Sequence, residues 1–440
     1  MINLGSVKNI FSMNIVASIL LFLTAILAAA IANSPMAPLY QDFLMQELYL
    51  RIGDFNLLSH GGHPLKMIEF INDCLMTIFF LAVGLEIKRE LLVGELSSFR
   101  KAILPFIAAC GGMLIPVLVY LYFAAMGTPE GRGMAIPMAT DIAFSLGVLS
   151  LLGKRVPLSL KIFLTAFAVV DDIGGILVIA IFYSGEVAYG YLIAAAILYC
   201  LLYYLGRAGM THKIFFILFG VVIWYLFLQS GIHSTISGVI LAFVIPARPR
   251  LDVGKYINQI RKVINEFPTS GSDDIVLTND QISTLKQVER ASDFVISPLQ
   301  SMEDNLHGMV NFVILPLFAF ANAGVVFSGG GDVIGDVSIA VAMGLLLGKF
   351  IGVYLFTWLT IKSGLAPMPP GMNWKSVAGV SLLGGIGFTV SLFIANLSFA
   401  HDYPELLNQA KFGVLLGTIL AGILGYAVLK AVLPRFKEQA

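Results

Sequence analysis

Asp171 and Asp172 stand side by side inside the apolar run from Ile162 to Tyr183, a stretch long enough to cross a bilayer. A charged side chain at bilayer depth costs about 2.5–3.5 kcal/mol on insertion scales. Two in one span therefore point to use, and the use such groups suit is carrying a small cation or a proton. Consecutive helical residues project about 100° apart, so the two carboxyls cannot face one ligand alike and are expected to hold separate roles. Desolvation favours the neutral acid, which moves proton release toward neutral pH, where H+ and a metal cation can compete for one carboxylate. The other reading, a pair neutralised as internal glue, asks for less compensation than two adjacent acids require.

Lys349, within the apolar segment 344–352, is the basic residue placed deepest in a span. An ammonium there needs a carboxylate partner, and Asp171 and Asp141 are the choices. Asp141 follows Pro137 and Thr140 in the segment 135–147, and Gly384, Gly385 and Gly387 interrupt the segment 379–389. Proline removes a backbone donor and glycine weakens a helix. Both segments are expected to be broken helices, which a membrane tolerates where the backbone lines a cavity or is buried in protein. Asp141 is then expected to offset N-terminal half-helix ends and Lys349 C-terminal ones. The glycines also suit close helix packing.

These residues need a frame of membrane helices. The chain has 440 residues, 58% hydrophobic and 12% charged, against about 25% charged in soluble domains. Apolar stretches recur near 11–31, 67–85, 102–123, 133–152, 162–183, 187–205, 214–228, 232–246, 309–327, 337–361, 377–397 and 412–433. The expected fold is all-α and polytopic, with about twelve spans, the first retained rather than cleaved. Spans 3–5 and 10–12 each carry an interrupted middle helix and run in opposite directions, the pattern of an inverted repeat. With the 247–305 segment left aside, fifteen Lys and Arg fall on the side of the termini, against Arg51, Lys66, Arg132 and Lys411 opposite. Both termini are thus expected in the cytoplasm. Cys74, Cys110 and Cys200 have no disulfide or metal spacing, and zero net charge gives no case for nucleic acid.

Two pieces lie outside the spans. In the outer loop 33–65, Leu48 to Leu57 reads as two short strands about Gly53-Asp54. An isolated hairpin is marginal in water, so it is expected either to pair with a second subunit or to stand as a plain surface hairpin. The cytoplasmic insertion 247–305 carries a capping box at Thr278-Asn-Asp-Gln281 and then a polar helix through Val295. At the cytoplasmic end of span 2, Glu86 and Glu90 share a helix face with Arg89 nearby, and Glu303 and His307 precede span 9. This cluster reads as an interfacial charge belt or as a proton-responsive gate. His233 begins span 8 on the outer side, where it serves as a second pH-sensing candidate or as a structural helix start.

Taken together, Phe80-Leu-Ala-Val-Gly-Leu-Glu-Ile-Lys-Arg-Glu90, Ala139-Thr-Asp-Ile-Ala-Phe144, Val170-Asp-Asp-Ile-Gly174, Leu315-Pro-Leu-Phe-Ala-Phe-Ala-Asn-Ala-Gly324 and Gly384-Gly-Ile-Gly-Phe-Thr389 resemble the NhaA-type bacterial sodium/proton antiporters, from about residue 11 to 433. The resemblance implies discontinuous spans 4 and 11 crossing at the site, in a family that is itself a known example of inverted repeats. It implies Asp172 as the main Na+ ligand, Asp171 as ion or proton site paired with Lys349, and Thr140 and Asp141 at the crossing. Glu86, Arg89 and Glu303 would belong to a pH-responsive region. It further implies exchange of internal Na+ or Li+ for two external protons, no cofactor, a bacterial inner membrane and dimers formed through the outer hairpin. A passive cation channel and an intramembrane aspartyl protease are the alternatives. A channel favours rings of carbonyls or charges, which a buried lysine fits poorly, and a protease draws its two aspartates from separate helices.

Overall fold

The computed structural model describes residues 4–434 apart from 54, 61, 186, 211, 249–252, 266, 268–275, 277 and 328–332. Asp54, Arg435, Lys437 and part of the 247–305 insertion thus lie outside the described residues. Among those described, nine helices are long and apolar enough to cross a membrane, and two bent pairs raise the number to eleven if each is one span. The chain is an all-α polytopic membrane protein. Each of the twelve expected stretches holds a helix or a helix pair. The eighth, Thr235–Val244, has 10 residues, about 15 Å of rise against a hydrocarbon core of about 30 Å. A full crossing by that helix does not follow from its length.

Both expected breaks occur. Glu130–Met138 is a 3-10 helix containing Pro137, and it meets Ile142–Ser150 at 45°. Trp374–Leu383 meets Phe388–Phe399 at 44° across Gly384–Gly387. Proline's missing N–H and the glycines' weak helix preference place the breaks where the pattern predicts. Gly387 also lets the two pairs touch, because an added methyl there would lie 2.7 Å from Ala139 O.

Among the described residues, three spans contain a single π-helical stretch: Ile71–Leu75, Val310–Ile314 and Gly344–Gly348. Such widened turns recur at functional sites, and the last delivers Lys349 directly after it. The span Asp336–Lys362 lies against Phe99–Phe123 at very close range. A methyl on Gly348 would sit 2.6 Å from Pro116 Cα, so small residues set this approach, as expected where helices pack without a hydrophobic drive between them.

The outer loop differs in detail from the single expected hairpin. Arg51–Ile52 pairs with Phe55–Asn56, and a second antiparallel pair, Ser59–His60 with His63–Pro64, follows it. A lone bridge, Glu47 with Lys66, closes the loop. In the insertion, helices Val253–Asn265 and Asn279–Val295 are present. The capping box forms, with Gln281 N–H donating to Thr278 Oγ1 at 3.3 Å and Thr278 N–H to Gln281 Oε1 at 3.0 Å.

Candidate functional site

The two broken pairs cross with their orphan backbone groups satisfied by side chains. Four N–H groups at each helix start and four carbonyls at each end lack intrahelical partners, and in a membrane they need replacements. Asp141 supplies two helix starts at once. Its Oδ1 accepts from Phe144 N at 2.9 Å. Its Oδ2 accepts from Thr389 N at 3.2 Å and Thr389 Oγ1 at 2.7 Å. Asp141 thus caps Ile142–Ser150 and Phe388–Phe399 together, and its own N–H donates to Ile386 O at 2.6 Å.

The carbonyl ends are treated differently from expectation. Among the described residues, no hydrogen bond runs from Lys349 to these carbonyls. Thr140 Oγ1 donates to Gly384 O at 2.7 Å, Ser145 Oγ to Leu383 O at 3.0 Å, and Ser391 Oγ to Ile136 O at 2.7 Å. Neutral hydroxyls meet the negative helix ends, which leaves the lysine for a carboxylate.

That carboxylate is Asp171: Lys349 Nζ lies 2.6 Å from its Oδ2, with both side chains 0% exposed. The Phe167 ring, one turn earlier on the same helix, lies 5.4 Å from the ammonium, within cation–π range. Asp172 points elsewhere. It lines a cavity of about 240 Å³ together with Thr140, Asp141, Thr389 and, farther along, Glu86, Arg89 and Glu303. Oδ1 of Asp171 and Oδ1 of Asp172 are both buried with no hydrogen-bond partner among the described residues. An orphaned buried carboxylate oxygen on a cavity wall is a place for a proton or a cation.

The cavity chemistry is carboxylate and hydroxyl oxygen, which suits hard cations. Among the described residues, no group of three or more His, Cys, Asp and Glu side chains converges as a metal centre. Asp172, Asp171, Asp141, Thr140 and Lys349 are all brought to the crossing, with Asp171 and Lys349 sealed behind the cavity wall.

At the cavity mouth, Arg89 Nη1 lies 2.5 Å from Glu303 Oε1 and Arg89 Nη2 3.2 Å from Glu90 Oε1. Arg89 therefore bridges two helices rather than pairing with Glu86, which lines the cavity instead. His233 is not part of this cluster. Its Nε2 lies 3.4 Å from Asp73 Oδ1, its Nδ1 lies 2.8 Å from Thr235 Oγ1, and its ring meets Phe393 edge-on.

Sequence reasoning passed over several members. Thr389 lay inside a quoted motif without a role, and Ser145, Ser391 and Asp73 were not singled out. A buried amide cluster was also missed: Asn322 Nδ2 donates to Asn72 Oδ1 at 2.8 Å, and Asn396 Nδ2 to Asn322 Oδ1 at 2.9 Å. The available signal was that each is a polar residue within an apolar span, a weak one for side chains that a helix can satisfy internally.

A family model described as Na+/H+ antiporter 1 matches residues 8–429. The chain is similar to a Na(+)/H(+) antiporter NhaA of Bacteroides thetaiotaomicron, 74% identical over 436 residues that cover 99% of each chain. Another such antiporter, from Phocaeicola vulgatus, is 60% identical over 96% of this chain and 94% of its own. One from Porphyromonas gingivalis is 46% identical over 94% of this chain and 93% of its own.

Proposed function

Because this chain belongs to the Na+/H+ antiporter 1 family, we propose that it exchanges internal Na+ or Li+ for external H+ by alternating access, electrogenically at two protons per cation and under pH control. As a member of that family it is a transporter and not an enzyme, and it needs no cofactor; Na+ and H+ are its substrates. The observation that carries the reading is the division of the aspartate pair. Asp172 faces the cavity with an unpartnered oxygen, and Asp171 is held against Lys349 behind it.

In this reading Na+ entering the cavity displaces a proton from Asp172, which becomes the principal ligand. Asp171 is the second proton- or ion-binding group, and Lys349 is its charge partner. Thr140 and Asp141 hold the crossing, where the inverted repeats of spans 3–5 and 10–12 meet and rock. Release on the far side follows reprotonation of the carboxyls. Capping of both half-helices by one Asp141 ties the two repeats together, so a change at the site is felt by both.

The protein sits in a bacterial inner membrane with both termini inside, so the cavity opens to the cytoplasm. Glu86, Arg89 and Glu303 at its mouth form the pH-responsive region, with His233 a separate candidate on the other half. Two chains associate through the outer hairpin.

The test is a proteoliposome assay with an imposed pH difference. Added Na+ or Li+ dissipates the gradient, and an applied membrane potential changes the rate. A Na+ current without proton movement is the channel result and contradicts exchange.

A further inference from the structure

The insertion between Ile245 and Ser297 leaves and returns at one point on the membrane face. Leu299 N–H donates to Pro246 O at 3.2 Å. Lys88 Nζ donates to Ala242 O at 3.3 Å and Phe243 O at 2.7 Å, and Lys213 Nζ donates to Ser301 Oγ. Both junctions are thus fastened beside basic side chains at the end of the membrane helices.

The first helix beyond the junction, Val253–Asn265, contains Lys255, Arg261 and Lys262 and no acidic residue. At about 100° per residue, Tyr256, Ile257, Ile260 and Val263 fall within an arc of about 120°, and Asn258, Arg261, Lys262 and Asn265 fall outside it. The helix packs beside Asn279–Val295. That contact does not close its apolar stripe, since Ile257 remains 44% exposed and Leu285 on the neighbour 46%. Apolar surface kept open next to lysine and arginine, with a tyrosine on the apolar side, is the composition of a helix that lies in the bilayer interface. The connection from Pro246 spans at most about 25 Å even when fully extended, which bounds how far from the membrane face the helix can start.

We propose that Val253–Asn265 is an interfacial anchor, seating its Ile257 face in the adjoining leaflet and setting Arg261 and Lys262 against anionic phospholipid headgroups. The anchor steadies the segment that leads into Pro298–Met309, the helix bearing Glu303. Lipid of net negative charge is the partner that fits, because the helix offers cations and no acid of its own. The inference does not depend on the exchange reading and stands or fails separately from it.

The experiment uses the full chain with Cys74, Cys110 and Cys200 replaced by alanine and an environment-sensitive fluorophore on an Ile257→Cys variant. The labelled protein is reconstituted into phosphatidylcholine vesicles with and without phosphatidylglycerol, some carrying nitroxide on the acyl chains. The expected result is blue-shifted emission quenched by the acyl nitroxide in anionic vesicles, and loss of both effects on raising salt or in the Arg261→Glu/Lys262→Glu variant. The same label on an Asn258→Cys variant, on the polar side, stays water-like. Water-like emission from Ile257→Cys in every vesicle overturns the proposal. So does apolar emission that lipid nitroxides never quench, which would mean protein covers the face, and so does equal quenching in neutral vesicles.

Discussion

Lys349 and Asp171 form a salt bridge of 2.6 Å in which neither side chain is exposed, although they lie on helices 178 residues apart in the chain. Taking two ions out of water is expensive, and an ion pair repays it only with good geometry. Its neighbour Asp172 has no such partner and faces the cavity. One carboxylate is thus committed to a lysine, and the other keeps an oxygen unpartnered among the described residues.

Breaking this pair is expected to destabilise the protein more than removing it whole. Lys349→Ala leaves Asp171 buried and uncompensated, at a cost of about 3–5 kcal/mol. The double change Lys349→Met/Asp171→Leu should regain most of that loss. Thermal unfolding in detergent checks both, and a double variant no more stable than Lys349→Ala contradicts an uncompensated Asp171 charge as the cause of the loss.

Asp172 makes the opposite prediction. It forms no hydrogen bond among the described residues, so Asp172→Asn should leave the melting temperature near that of the parent. Na+ should stabilise the parent by about 2.7 kcal/mol at a hundred times its Kd, and this gain should vanish in Asp172→Asn. A variant still stabilised by Na+ to the same extent places the ion elsewhere.

Asp141 caps two half-helices, and loss of a cap costs about 0.5–2 kcal/mol. Asp141→Ala is expected to lose two such contributions, whereas Asp141→Asn keeps one acceptor oxygen and so one of the two caps. Comparing their unfolding midpoints decides it: equal destabilisation by Ala and Asn means charge, and not capping, is what matters there.

The Arg89 side chain is 38% exposed, so its pair with Glu303 adds little stability, about 1 kcal/mol or less. Glu303→Gln should therefore melt like the parent. In the pH-responsive reading it should nonetheless displace the pH profile of exchange. A superimposable profile leaves Arg89 and Glu303 as an interfacial anchor only.

What was legible in the sequence was what a membrane makes conspicuous. Asp171, Asp172 and Lys349 stood out because charge is costly at depth, and Pro137 and Gly384 to Gly387 because they interrupt helices. The partner of Lys349 stayed open between two acids, since spacing along the chain does not set which spans touch. Ser145, Ser391 and Thr389 were passed over because a hydroxyl in a span is unremarkable until its acceptor is seen. Those acceptors lie far off, with Ser391 meeting Ile136 across 255 positions. The groups that meet the carbonyl ends stayed hidden for the same reason: they are hydroxyls from the opposing pair.

If a cation and a proton exclude each other at Asp172, Na+-driven proton movement in proteoliposomes should separate the parent from Asp172→Asn, prepared at equal protein content and with unfolding midpoints matched. Na+ should collapse the imposed pH difference in the parent and leave it standing in the variant. Undiminished collapse in Asp172→Asn contradicts it.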